Sequence, residues 1–145
     1  MRQEVWIDRS PTDVWEVIGD PTSVTAWFPG MNRVQLFGDK RRIDLASGLH
    51  LEETVVTVRD DLRRFQYRLD GPLPVEHHLA SIDVIADDED DSRCVVVYST
   101  DVEPPALVPL FDGAIGEALA ELKQMMEMAE RSEAAETADA AEASD

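Results

Sequence analysis

The stretch Arg93-Cys94-Val95-Val96-Val97-Tyr98-Ser99-Thr100-Asp101-Val102-Glu103, closed by Pro104-Pro105, decides the fold. Its period is two, and β-branched and aromatic residues dominate it, so it reads as a strand. Its two faces differ. Val96, Tyr98, Thr100 and Val102 form the inward set, because the alternate positions end in Asp101 and Glu103. Immediately after the prolines the period changes. Leu107, Phe111, Ile115, Ala118, Leu122, Met125 and Ala129 recur at steps of three and four, predicting a long amphipathic helix over 106–129. A half-buried strand followed by a long one-sided helix means a helix packed over a sheet.

Working outward from that junction, the period of two extends back through the chain. Strands are expected at 33–37, 41–46, 49–59, 63–69, 75–86 and 93–103, with a first strand at 3–8. Turn residues join them: Gly38-Asp39, Ser47-Gly48, Asp60-Asp61, Asp70-Gly71-Pro72 and the acidic tip 87–91. Such short connections imply an antiparallel meander. Between the first two strands stand two helix starts. Ser10-Pro11-Thr12-Asp13 offers an N-cap, a proline at the first helical position and an acid in the first turn, and Asp20-Pro21-Thr22-Ser23 repeats the device. The expected class is α+β, a helix-grip arrangement. A curved seven-stranded antiparallel sheet carries two short helices after its first strand and a long C-terminal helix across its inner face.

The chain has 145 residues, 43% of them hydrophobic, which suits one domain with one core. Residues 1–129 form that domain. Residues 130–145 carry six acids against Arg131 and no large apolar side chain, and are expected to be a disordered tail or a frayed extension of the helix. The balance of 13 Lys and Arg against 31 Asp and Glu, net −18, argues against nucleic acid and against stable association with an anionic membrane. No segment is apolar enough to span a bilayer, and the N-terminus has no signal-like apolar region, so a cytoplasmic location is the default. Cys94 is the single cysteine and has no internal partner. His77 and His78 point to opposite faces of one strand, and no HxH or HExxH spacing exists, so no metal is expected. No phosphate-binding loop or nucleophile elbow is present either, and no cofactor is expected.

Alternation also predicts the lining of the space under the helix. In 75–86, His78, Ala80, Ile82 and Val84 face inward, and in 63–69, Phe65, Tyr67 and Leu69 do. Strand 49–59 is ambiguous: Arg59 places Glu53, Val55 and Thr57 outside, but a bulge would reverse the first half. The candidate ligand-binding set is Phe65, Tyr67, His78, Ala80, Ile82, Val96, Tyr98, Thr100, Phe111, Ile115, Leu119 and Leu122. It is mostly apolar with a few polar points, the composition of a small-molecule pocket. His78, Tyr98, Tyr67 and, if the bulge turns it inward, Glu53 are the candidate acid–base groups. Gly113 and Gly116 interrupt the long helix, either for close packing or to leave room for a ligand.

Particular residues resemble the SRPBCC superfamily (START-like, Bet v 1-like), in the branch labelled polyketide cyclase/dehydrase or lipid transport. They are Ser10-Pro11-Thr12-Asp13-Val14-Trp15 with Ile18 and Asp20, Trp27-Phe28-Pro29-Gly30, Glu53-Thr54-Val55-Val56, Phe65-Gln66-Tyr67-Arg68, Gly71-Pro72-Leu73-Pro74-Val75, and Val96-Val97-Tyr98-Ser99-Thr100 with Glu103-Pro104. The resemblance covers about residues 3–129. It implies a cavity between sheet and helix, and departs from the family where His78 replaces a frequent tyrosine and Tyr98 a frequent tryptophan. Three functions follow as expectations. The first is binding of a small hydrophobic ligand (lipid, isoprenoid, fatty acyl or aromatic polyketide). The second is cofactor-independent cyclisation or dehydration. The third is a chaperone-activator-like role in which a protein partner meets the acidic tail or the outward-facing Trp6.

Overall fold

The computed structural model describes residues 1–144; Asp145, the last acid of the tail, lies outside the described residues. The alternating segments form seven strands: β1 (Arg2–Ile7), β2 (Met31–Phe37), β3 (Lys40–Leu45), β4 (His50–Arg59), β5 (Arg64–Gly71), β6 (His77–Ala86) and β7 (Cys94–Glu103). They make one antiparallel sheet in the order β1-β7-β6-β5-β4-β3-β2. Only the β1–β7 contact joins strands distant in sequence, and every other neighbour is a hairpin partner. The β2–β3 hairpin turns through Gly38-Asp39, with Gly38 at φ +64°, a conformation natural to glycine.

The two helical signals behave differently. Helix α1 (Pro11–Ile18) begins as expected: Ser10 Oγ accepts the Asp13 N–H at 3.1 Å, and Val14, Trp15 and Ile18 are buried. The second signal does not cap a helix. Asp20 Oδ1 accepts both the N–H (2.9 Å) and the hydroxyl (2.8 Å) of Thr22, closing a turn on itself. Helix α2 (Val24–Trp27) starts only after it, with no side-chain cap. An aspartate that bonds two residues ahead makes a turn as readily as a cap.

After a single 3₁₀ turn (Pro105–Leu107), the long helix α3 runs from Val108 to Ala143. Its buried residues are Ile115, Ala118, Leu119, Leu122 and Met126. Ala129, expected on the buried stripe, is exposed, because the helix leaves the sheet beyond Met126. The acidic segment continues as helix, with residues 129–144 all exposed.

A seam of polar contacts ties α3 to β1 and to the residues just after it. Gln3 Nε2 donates to the Asp112 carbonyl (2.6 Å) and to Oδ1 (2.8 Å). Lys123 Nζ donates to the Trp6 carbonyl (2.7 Å), the Asp8 N–H to Glu127 Oε1 (3.1 Å), and Arg9 Nη1 to the Met126 carbonyl (2.9 Å). Gly116 belongs to this seam, since a Cβ there would lie 3.0 Å from Gln3 Oε1. Gly113 faces open space. Of the two readings of these glycines, Gly116 therefore serves close packing against β1. The seam holds α3 toward one side of the sheet, leaving a gap between its first two turns and β3–β5.

Trp6 is exposed on the outer face, as its parity predicts, and the Arg93 guanidinium lies 4.5 Å from its ring centre. No helix among the described residues is long and apolar enough to cross a membrane.

Candidate functional site

The gap under the first two turns of α3 is a cavity of about 390 Å³. Its walls come from the α2–β2 connection (Phe28, Pro29, Gly30, Met31) and the β3–β4 hairpin (Leu45, Ala46, Ser47, Leu49, Leu51). The sheet face contributes Glu53, Tyr67, Leu69, Leu73 and His78, and α3 contributes Leu110, Phe111, Ala114 and Ile115. Leu49 and Leu110, exposed by 38% and 60%, frame its mouth. No Lys or Arg is among the lining residues.

The sequence-based lining divides in two. Tyr67, His78, Phe111 and Ile115 border the cavity, together with Glu53. Phe65, Ala80, Ile82, Val96, Tyr98, Thr100, Leu119 and Leu122 do not; they are buried in or beside the core, with Phe65, Ile82 and Tyr98 bordering a small adjoining space. The physical reason is convergence. Parity identifies the inner face, but α3 presses onto that face along the Leu119–Met126 half and side chains fill the space. Only the Leu110–Ile115 half stands away from it. Sequence reasoning missed the loop residues Pro29, Gly30, Ala46, Ser47, Leu49 and Leu73, which carry no periodic signal, and left out of the lining Leu45, Leu51, Leu69, Leu110 and Ala114, which stand on strands or on the helix. Phe28 and Met31 had one signal, as apolar residues beside a turn.

Glu53 faces inward, and the reason is a bulge. The β4–β5 register shifts between Val55 and Thr57. Before the shift, Glu53 and Val55 pair with Leu69 and Tyr67 on the inner face; after it, Thr57 and Arg59 pair with Gln66 and Arg64 on the outer face. Glu53 is 3% exposed and is met by a residue that parity marked only faintly. Arg41 stands two and four positions before the inward Ile43 and Leu45 and is itself buried. Its Nε and Nη2 both donate to Glu53 Oε1, at 2.9 and 2.6 Å, and Nη1 donates to the Pro21 carbonyl at 2.9 Å. The guanidinium also lies over the rings of Phe65 and Tyr67, at 5.3 and 5.1 Å. Burial raises the Glu53 pKa above the usual carboxylate value, while the charge and hydrogen bonds of Arg41 pull it down.

His78 is 2% exposed, and its Nδ1 accepts the Leu69 N–H at 2.9 Å. The β5–β6 ladder ends at the Tyr67–Ala80 pair, so the imidazole takes the place of the backbone acceptor that Leu69 lacks. Burial, with His77 adding to it, lowers the pKa to about 4. The ring is therefore neutral at pH 7, with its one proton on Nε2. This corrects the reading of His78 as a general base: one nitrogen is occupied by a backbone donor and the other already carries the proton. His78 is a hydrogen-bond donor to the cavity.

The Tyr67 and Tyr98 hydroxyls bond to each other, and burial raises both pKa values. Tyr98 is buried and is not part of the cavity wall; it borders the small adjoining space walled also by Arg41, Glu53, Phe65 and Tyr67. Among the described residues, the buried side-chain nitrogens and oxygens that lack a partner are Arg93 Nε and Thr100 Oγ1. Glu53 Oε2 and His78 Nε2 have no protein partner either, yet are not sealed, and both residues line the cavity.

A family model described as polyketide cyclase / dehydrase and lipid transport matches residues 1–127. The chain belongs to that family. Among solved structures, protein XoxI from Bacillus cereus is similar at 25% identity and a TM-score of 0.81, covering 87% of this chain and 94% of that one. A START superfamily protein from Mycobacterium smegmatis is similar at 14% identity and a TM-score of 0.70, covering 88% and 97%. Norcoclaurine synthase from Thalictrum flavum is similar at 19% identity and a TM-score of 0.68, covering 86% and 91%. The last two likenesses are of fold. No curated relative matches the chain. Membership in the polyketide cyclase / dehydrase and lipid-transport family agrees with a helix-grip, ligand-binding fold.

Proposed function

We propose that this protein holds a small, largely apolar molecule of the lipid, isoprenoid, fatty acyl or aromatic polyketide kind in the cavity under α3. The cavity itself carries the reading: about 390 Å³, walled by aliphatic and aromatic side chains, with a mouth framed by exposed leucines. Well-packed cores do not keep such a space, and ligand pockets of this size and composition are common. Family membership supports the same reading. Nile red, a neutral apolar dye, tests it directly. It should bind with a saturable rise in fluorescence, and Ala114→Trp, which fills the cavity from its helix wall, should abolish binding while the fold is kept. Saturable binding that Ala114→Trp leaves unchanged would overturn the assignment of the cavity, as would no binding at all.

A second reading rests on Glu53. A buried carboxylate with a raised pKa, open to an apolar cavity on one oxygen, is suited to take up or return a proton during cyclisation or dehydration. Under that reading Glu53→Gln abolishes turnover and leaves Nile red binding intact.

A further inference from the structure

One row of residues crosses the inner face of the sheet. Arg41 on β3 pairs in register with Glu53 on β4, Glu53 pairs with Leu69 on β5, and the Leu69 N–H is bonded to His78 on β6. Glu53 and His78 thus stand two strands apart on the same face, with Leu69 between them. The row offers the cavity one acceptor, Glu53 Oε2, and one donor, His78 Nε2–H. Its single cation is already committed. Arg41 gives two donors to Glu53 Oε1 and a third to the Pro21 carbonyl, and it is not among the lining residues, bordering instead the small adjoining space shared with Glu53 and Tyr67. The other cations near this part of the sheet are on its outer face, where Lys40 and Arg68 converge on Thr54 and Asp70.

We propose that the cavity selects neutral amphiphiles whose polar end is a hydroxyl or carbonyl, and discriminates against free carboxylates of the same skeleton. This rests on the cavity being the ligand site. A hydroxyl can donate to Glu53 Oε2, and a carbonyl or hydroxyl oxygen can accept from His78 Nε2. A carboxylate finds no uncommitted cation on the walls, and burying its charge beside a carboxyl group whose one counter-charge is already engaged is costly. His78 does not supply the missing charge, because it stays neutral well below pH 7.

The test uses two matched pairs, 1-decanol with decanoate and 2-naphthol with 2-naphthoate, each displacing Nile red from the full chain at pH 7.5. The neutral member should displace the dye at a concentration on the order of tenfold lower or better, the size expected for one unfavourable charge contact. Any apolar cavity favours the neutral member to some degree, so the variants decide. Glu53→Gln leaves Arg41 without its counter-charge, and the preference should shift toward the carboxylate by on the order of tenfold. If that variant does not fold, Arg41→Gln with Glu53→Gln removes both charges and should narrow the ratio relative to wild type. Equal displacement by both members in wild type overturns the proposal, as does a ratio that the folded variant leaves at its wild-type value. If Nile red binds and none of the four probes displaces it, the selectivity fails alone. If Nile red itself does not bind, the cavity reading fails with it.

Discussion

At the scale of the residue, His78 shows how a titratable group can be recruited for a backbone task. The Leu69 N–H is buried where the β5–β6 ladder has ended, and an unpaired buried donor costs about 1–3 kcal/mol. The neutral imidazole satisfies it, and that fixes a pH dependence. The folded pKa is lowered to about 4 from 6.5, so between those values the unfolded chain binds more protons than the folded one. Stability from this group is complete above pH 6.5 and is lost as the pH falls toward 4, by at most about 3 kcal/mol. Urea denaturation at pH 7 and pH 4.5 should show that loss over and above the contribution of the carboxylates. His78→Asn keeps an acceptor near the Nδ1 position and removes the titration, so its stability should fall less across the same interval. His78→Ala should be less stable than either already at pH 7. Equal pH slopes for His78→Asn and wild type would sink the assignment.

At the scale of the element, the strands and the long helix were legible because their periods are strong and their turns are marked. The inward set on β6 followed from parity alone, since His78, Ala80, Ile82 and Val84 are buried as a group. Glu53 was legible only as one of two alternatives, because nothing in Val55-Val56-Thr57 decides whether the register slips there. Arg41 was hidden for a different reason. An arginine at the start of a strand reads as solvated, and only its partner on the next strand makes burial tolerable. The cavity lining was legible only in part. Parity gives the face of each element, whereas the gap depends on how α3 inclines to the sheet, which the seam to β1 sets from the far side of the sequence. The same geometry separates the two helix glycines. Gly113→Ala adds a methyl group into open space and should stabilise by about 0.5–1 kcal/mol through helix propensity. Gly116→Ala gains the same propensity but drives its Cβ against Gln3, displacing a side chain that holds Asp112, so its gain should be smaller or reversed. Denaturant midpoints at unchanged slope measure both. An equal gain at the two positions would mean that the β1 seam does not constrain α3.

At the scale of the whole molecule, the cavity and the core compete for the same two surfaces. Along Leu119–Met126 the helix and sheet are in full contact and supply stability; along Leu110–Ile115 they are held apart, and apolar surface that a closed fold would bury stays available. A protein arranged this way should be stabilised by whatever completes the packing, and a ligand and a large side chain should be interchangeable in that respect. Binding to the folded state alone adds RT ln(1 + [L]/Kd), about 2.7 kcal/mol at a hundredfold excess over Kd. For a domain of this length each kcal/mol is worth roughly 3–5 °C in melting temperature. 1-Decanol at that excess should therefore raise the melting temperature of wild type by about 8–13 °C. Ala114→Trp should melt at or above the temperature of ligand-free wild type and should not respond to 1-decanol. The two halves of this prediction fail separately. If the variant melts far below wild type, the wall at Ala114 cannot accommodate the indole and the space is narrower than its walls suggest. If the variant is stable and still responds to 1-decanol, the alcohol is binding elsewhere, and the link between the gap under α3 and the ligand is broken.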